Sequence, residues 1–207
     1  MAVKRTYDAA GRRARAEEQR ARTYAVARGL FVRDGYTETT VEAIASAAGV
    51  SPATIYKTYG GKAGIAAALC ADALAGEGPV PAQTRSNALR DSSTPADVIA
   101  GWATLVSEVS PRVSPLQLVL RDAARHDADA AALFAQLDAD RLRRMGENAR
   151  YLMRTGAVRA GLSVNDVRDV LWLSSSAELY ELLVRRRGWS VKKYAAFVGK
   201  MIADALL

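Results

Sequence analysis

The sequence predicts an all-α protein, with an N-terminal helix-turn-helix module and a C-terminal helical bundle, about nine helices in all. Three observations predict it. Alanine and leucine are abundant, while alternation of β-branched residues is scarce. Apolar residues recur at helical spacing along most of the chain. Residues 36–62 hold two short helical patterns separated by a glycine break. The domain division is expected at 61/62: residues 1–61 an arm and reading module, residues 62–207 a bundle.

The elements follow in order. Residues 1–15 read as a basic arm carrying Lys4, Arg5, Arg12, Arg13 and Arg15. It could lie along phosphates or in a minor groove, and a solvated tail accounts for it equally. A first helix is expected over Ala16–Asp34, with Tyr24, Ala27, Leu30 and Phe31 as its apolar stripe. A second spans Thr40–Ala48, N-capped by Thr39 or Thr40 and stopped by Gly49. Ser51 caps a third helix, Pro52 sits in its first turn, and Gly60-Gly61 ends it after Tyr59. Ile44, Ala45, Val50 and Ile55 would form the small core, with Ala47 and Ala48 keeping the backbones close.

A fourth helix is expected over Lys62–Ala75, burying Ile65, Leu69, Cys70, Ala73 and Leu74. Residues 76–95, rich in Gly, Pro, Ser and Thr, read as a loop with at most a short turn at 84–89. Helices follow over Pro95–Ser110 and Pro115–Arg125, with Pro111 and Pro115 as punctuation, and then over Asp127–Arg154. A long helix over Val164–Arg187, capped by Ser163 or Asn165, precedes the last, Ser190–Leu206.

The third helix would expose Ser51, Ala53, Thr54, Lys57 and Thr58. Small, hydroxylated and cationic side chains suit a major groove, where bulk prevents approach and hydrogen bonds read base edges. The net charge of +7 is unevenly spread. Residues 1–34 hold nine Lys/Arg against four Asp/Glu, whereas residues 35–75 hold two against three. A basic surface beside the helix-turn-helix points to a polyanion such as double-stranded DNA.

At Leu30-Phe31, Gly35-Tyr36, Thr39-Thr40-Val41, Ile44-Ala45, Ala48-Gly49-Val50-Ser51, Ile55-Tyr56, Tyr59 and Lys62, the chain resembles the tetracycline-repressor (TetR) family of bacterial transcription regulators. The match runs without gaps over roughly residues 20–65. Tyr59 stands where the family more often has Phe, and Lys57-Thr58 where many members have an aromatic followed by His. The resemblance implies phosphate contacts from Tyr56 and Lys62, with Thr40 also near the backbone. Pro52, Ala53, Lys57 and Thr54 would face bases, with Lys57 opposite guanine the sharpest expectation, and Ser51, Thr58 and Tyr59 complete the expected DNA contacts. It also implies a palindromic operator, most often repression, and a small-molecule effector that moves the fourth helix. The GGK triplet at 60–62 is no phosphate-binding loop, since Tyr56 and Ala63 replace its Gly and Ser/Thr.

Apolar residues encircle residues 164–187, so that helix should be covered on two sides. A second copy of the chain is the economical cover, through Leu173, Ala177, Tyr180, Val184, Tyr194, Phe197, Val198 and Met201. The family resemblance implies the same homodimer. An effector pocket is expected inside the bundle, drawing on Trp102, Phe134, Met145, Trp172 and Tyr180, with Arg121, His126, Ser175 or Ser176 orienting a ligand.

His126 is the single histidine and has no evident nucleophile beside it. With Asp122 and Asp129 it would share a face only if the flanking helices were continuous. Cys70, the single cysteine, excludes an internal disulfide. No catalytic residue, cofactor or metal is expected. No secretion signal and no membrane span are read, so a cytoplasmic location is expected. The rival readings are an effector-independent, architectural DNA-binding protein and an enzyme with a helical C-terminal domain. A cavity and its chemistry would discriminate them.

Overall fold

The computed structural model describes residues 9–92 and 94–207; among these the regular elements are all helices. The chain divides into two compact units, Met1–Leu69 and Cys70–Leu207. The division falls inside the fourth helix, eight residues beyond the expected one, because Ile65, Ala66 and Leu69 of its first half are buried in the first unit.

The first unit holds α1 (Ala9–Asp34), α2 (Val41–Ala48), α3 (Pro52–Tyr59) and the start of α4 (Lys62–Ala75). Helix α1 starts earlier than expected, so Arg12, Arg13 and Arg15 lie on a helix rather than an arm. Alanine and arginine are strong helix formers, and that propensity extends the helix without a buried face. Lys4 and Arg5 lie outside the described residues. Thr23, Ala27 and Phe31, each one helical step apart, form the buried stripe of α1. Tyr36 stacks on Phe31 with ring centres 5.4 Å apart.

Thr40 caps α2 by accepting from the Ala43 N–H, and Gly49 stops it in the left-handed region at φ 72°. Ser51 caps α3 by accepting from the Thr54 N–H, with Pro52 at the helix start. Ile44, Ala45, Ala48 and Ile55 are buried. Val50 is only half-buried and Ala47 is exposed, so Ala48 alone gives the close approach beside the turn.

The second unit contains the end of α4, then α5 (Ala82–Ser92), α6 (Pro95–Ala123), α7 (Ala128–Thr155), α8 (Val164–Ser174), α9 (Ala177–Tyr180) with a π-helical continuation Glu181–Arg186, and α10 (Val191–Leu206). Leu74, expected inside, is exposed. Helix α5 replaces the expected loop. The Gly/Pro-rich stretch ends at Pro81, and Ala82, Ser86 and half-buried Leu89 then recur at helical spacing. Leu89 packs against Gly101 of α6, where a β-carbon would collide with it.

Helix α6 runs straight through Pro111 and Pro115, which were expected to end it. An interior proline removes a helical hydrogen bond and costs about 3 kcal/mol. Burial outweighs that cost: Val98, Ile99 and Trp102 before the prolines, and Val113, Leu116, Leu118 and Leu120 after them, all lie inside.

The long helix expected over 164–187 is interrupted at Ser174–Ser176. The Ser174 hydroxyl donates to the Val170 carbonyl (2.6 Å) and the Ser175 hydroxyl to that of Trp172 (3.0 Å). Ser176 turns extended and caps α9. Three consecutive serines offer the backbone rivals to the helical ladder. Beyond the break, the Arg187 N–H reaches back five residues to the Leu182 carbonyl (3.1 Å), the hydrogen bond of a π-helix.

Val98, Trp102, Leu152, Val167, Leu171, Tyr180, Tyr194, Val198 and Ile202 belong to one buried cluster drawn from α6 to α10. Gly199 lets α10 come close to Ala103 of α6, since a β-carbon would stand 2.9 Å from that methyl.

Candidate nucleic-acid interface and ligand cavity

Eight residues make α3, and only Ile55 among them is buried. That one anchor leaves Pro52, Ala53, Thr54, Tyr56, Lys57 and Thr58 on the surface, with Ser51 ahead of them. The Ser51 and Thr54 hydroxyls share a hydrogen bond of 2.9 Å. Thr40 is exposed at the start of α2, with its hydroxyl engaged in the cap. Tyr56 is 54 % exposed and presents its ring and phenol to solvent.

Two expected contact residues sit differently. Tyr59 is half-buried and turned towards Tyr24, ring centres 6.1 Å apart, and burial raises its phenol pKa. Lys62 is also half-buried: its ammonium lies 4.2 Å from the Tyr36 ring centre and donates to the Tyr36 carbonyl (3.0 Å) and the Thr37 carbonyl (3.4 Å). Lys62 therefore ties the α1–α2 connection to the start of α4, and both residues serve the frame of the module.

Arg22 is a candidate that the sequence reading missed. Its guanidinium lies 3.8 Å from where a β-carbon on Gly49 would be, beside the α2–α3 turn. Gln19, one turn earlier, donates from its amide to the Ala48 carbonyl (3.1 Å). The signal was present in the register of α1: residues 19 and 22 are three apart and share a face.

In the second unit a cavity of about 390 Å³ opens between α4, α5, α6, α7, α8 and α10. Trp102 and Met145 line it as expected, and so does Ser175. The other expected pocket residues do not. Arg121 is held by Glu178 (3.2 Å) and Asp122 (3.0 Å), so its charge joins α6 to α9. His126 is exposed in the turn after α6. Phe134 is half-buried on α7, away from the cavity walls. Trp172 lies under the Arg141 guanidinium at 4.5 Å. Ser176 is buried and consumed as the α9 cap. Tyr180 packs edge-on against Tyr194 at 5.4 Å. Among the described residues no group of three or more His, Cys, Asp or Glu side chains could hold a metal.

The polar lining that sequence reasoning missed comes from α5, α6, α7 and α8: Ser86, Ser110, Gln117, Asn148 and Ser174 are all buried there, with Arg141 and Arg144 beside them. Helical spacing marks which residues face inward, but not which inward polar residues border empty space.

The residues expected to pair two copies divide in the same way. Ala177, Tyr180, Tyr194 and Val198 are buried within the subunit's own core. Burial pushes the Tyr194 phenol up to about 12. On α10, residues 194, 198 and 202 share the inward face, leaving Phe197 outside. Leu173 and Phe197 are exposed, Val184 and Met201 half-exposed, and Leu182 joins them at 50 % exposure. No helix among the described residues is long and apolar enough to cross a membrane.

Residues 24–69 match the family model of bacterial regulatory proteins, tetR family. No curated protein sequence matches the chain. Solved structures share the fold at low identity. NalD, described as the secondary repressor of the MexAB-OprM multidrug efflux pump in Pseudomonas aeruginosa, superposes with a TM-score of 0.72 at 16% identity, covering 94% of this chain and 98% of that one. The fatty acid degradation regulator FadR from Bacillus halodurans gives 0.71 at 15% identity, with 89% and 94% covered. A Saccharomonospora viridis protein, described as a transcriptional regulator and solved with choline, gives 0.66 at 19% identity, with 92% and 98% covered.

Proposed function

We propose that this chain, a TetR-family transcription regulator by its residues 24–69, is a homodimeric repressor released from a palindromic operator by a small molecule. The observation that carries the reading is α3: one buried anchor, with a continuous exposed face of Pro52, Ala53, Thr54, Lys57 and Thr58 that fits a major groove. Tyr56 and Thr40 contact phosphates, Lys57 reads a base, and Arg22 adds a phosphate contact at the turn. Two copies pair through Leu173, Leu182, Phe197 and the half-exposed Val184 and Met201. Pairing sets two reading helices roughly 34–36 Å apart, one turn of B-DNA. Lys62 and Tyr59 fix the reading head rather than touch the duplex.

Leu74, in the last turn of α4, lines the cavity. A ligand there acts on the helix that continues into the reading module. To lower operator affinity, it must bind the DNA-incompetent arrangement more tightly. The cavity favours this reading over an effector-independent architectural protein. The regulator works in the cytoplasm, with no catalytic step.

Selection of genomic fragments on the purified protein, followed by footprinting, tests the reading. The expected result is protection of a two-fold symmetric site with a Kd near 10⁻⁸ M or tighter, weakening as salt rises. Equal affinity for every duplex would overturn it.

A further inference from the structure

The cavity walls are chemically lopsided. Trp102, Val106, Val113 and Leu171 supply apolar surface, and α7 brings Arg141, Arg143 and Arg144 along one side. Arg90 of α5 stands behind them and donates to the Asn148 side chain, which itself borders the cavity. The carboxylates are fewer. Asp138 holds Arg141 (2.7 Å) and Asp140 holds Arg143 (2.7 Å). Glu147 serves both Arg144 (3.1 Å) and Arg143 (3.6 Å).

Arg90 makes no ion pair among the described residues. Its guanidinium lies 5.9 Å from the Tyr151 ring centre. Burial, and then the charge of Arg144, lower its pKa below the usual guanidinium value. A partly buried cation that Glu147 only partly offsets is costly, and an anion entering beside it relieves that cost. On the apolar side the indole N–H of Trp102, 7 % exposed, has no hydrogen-bond partner among the described residues.

We propose that the cavity binds a small organic acid, with its anionic head at Arg144 and its mainly apolar body against Trp102. This deepens the reading of the cavity as the effector site and rests on it. A volume of about 390 Å³ sits near the lower end for small-molecule sites, so the body is short: a medium chain or one aromatic ring with a tether.

Calorimetry and thermal melting on the purified full-length protein test it, with octanoate, 4-phenylbutanoate, 1-octanol and octylamine as probes. The acids are expected to bind about tenfold or more tightly than the alcohol or the amine, the worth of a charged hydrogen bond. Arg144→Gln should abolish that preference while leaving the affinity for the alcohol within about threefold, and Arg144→Lys should restore part of it. The proposal is overturned if the amine or the alcohol binds as well as the acids, if neither acid binds, or if Arg144→Gln leaves the preference intact. Operator release is read separately. Acids that bind without releasing DNA leave this proposal standing and sink the effector role. A non-acidic effector that releases DNA does the reverse.

Discussion

Lys57 is the most informative single residue. It is exposed on α3, with the smaller Ala53 and Thr54 one turn before it on the same face. Lys57→Ala is expected to lose about 1–3 kcal/mol of operator affinity and to relax base preference at one position per half-site, read by mobility shift against variant duplexes. A uniform loss across all duplexes would reassign it to phosphate. Glu108 carries a pH dependence instead. Hydrogen bonds from Arg85 (2.8 Å) and then from the Glu77 N–H hold its carboxyl below its ordinary value of 4.5. A lowered folded-state pKa means stability present above the unfolded value and lost as pH falls through the folded one. Arg85→Met should therefore lower stability near neutrality and change little at pH well below about 4.5, so that the acid limb of the profile flattens, as measured by urea unfolding across pH. Both residues were visible in the sequence as charges, but only Lys57 had a readable role, because its surroundings are local to one short helix. Glu108 depends on a partner 23 residues away.

Caps and close approaches set the element scale. Ser163 accepts from the Asp166 N–H while the Asp166 carboxylate accepts from the Ser163 N–H, a reciprocal box at the start of α8. Ser163→Ala is expected to lower stability by about 1 kcal/mol in thermal or urea unfolding, with no change in operator affinity at 25 °C. Gly64 is stricter. A β-carbon there would press into the Tyr59 carbonyl, so α3 and α4 would have to part. Gly64→Ala should weaken operator binding more than it weakens the second unit, which separate fluorescence and mobility-shift titrations can compare. The helix-turn-helix was legible because Thr40, Gly49, Ser51 and Pro52 act on their own neighbours in sequence. Helix α5 and the unbroken α6 were not, because tertiary burial of Leu89, Val113 and Leu116 overrode local punctuation.

The whole molecule adds an exposed apolar surface on α8, the π-helical segment and α10. Leu173 is 57 % exposed and Phe197 39 %. Leu182→Glu with Phe197→Glu, two surface changes, should leave the fold intact and shift the protein to a monomer by light scattering. Operator affinity should fall with it, because one head then binds without its twin. A variant that stays dimeric would move the interface elsewhere. From its residues alone the chain determined an all-α class and the helix-turn-helix with its caps, because each depends on neighbours within one or two helical turns. Tertiary structure decided the rest. It chose which apolar residues of α8 to α10 turn inward, and it walled a cavity with polar side chains from four helices. It also drew Lys62 and Tyr59 into the frame. Those outcomes depend on which distant surfaces exclude water together, and sequence periodicity records only that a face is buried, not against what.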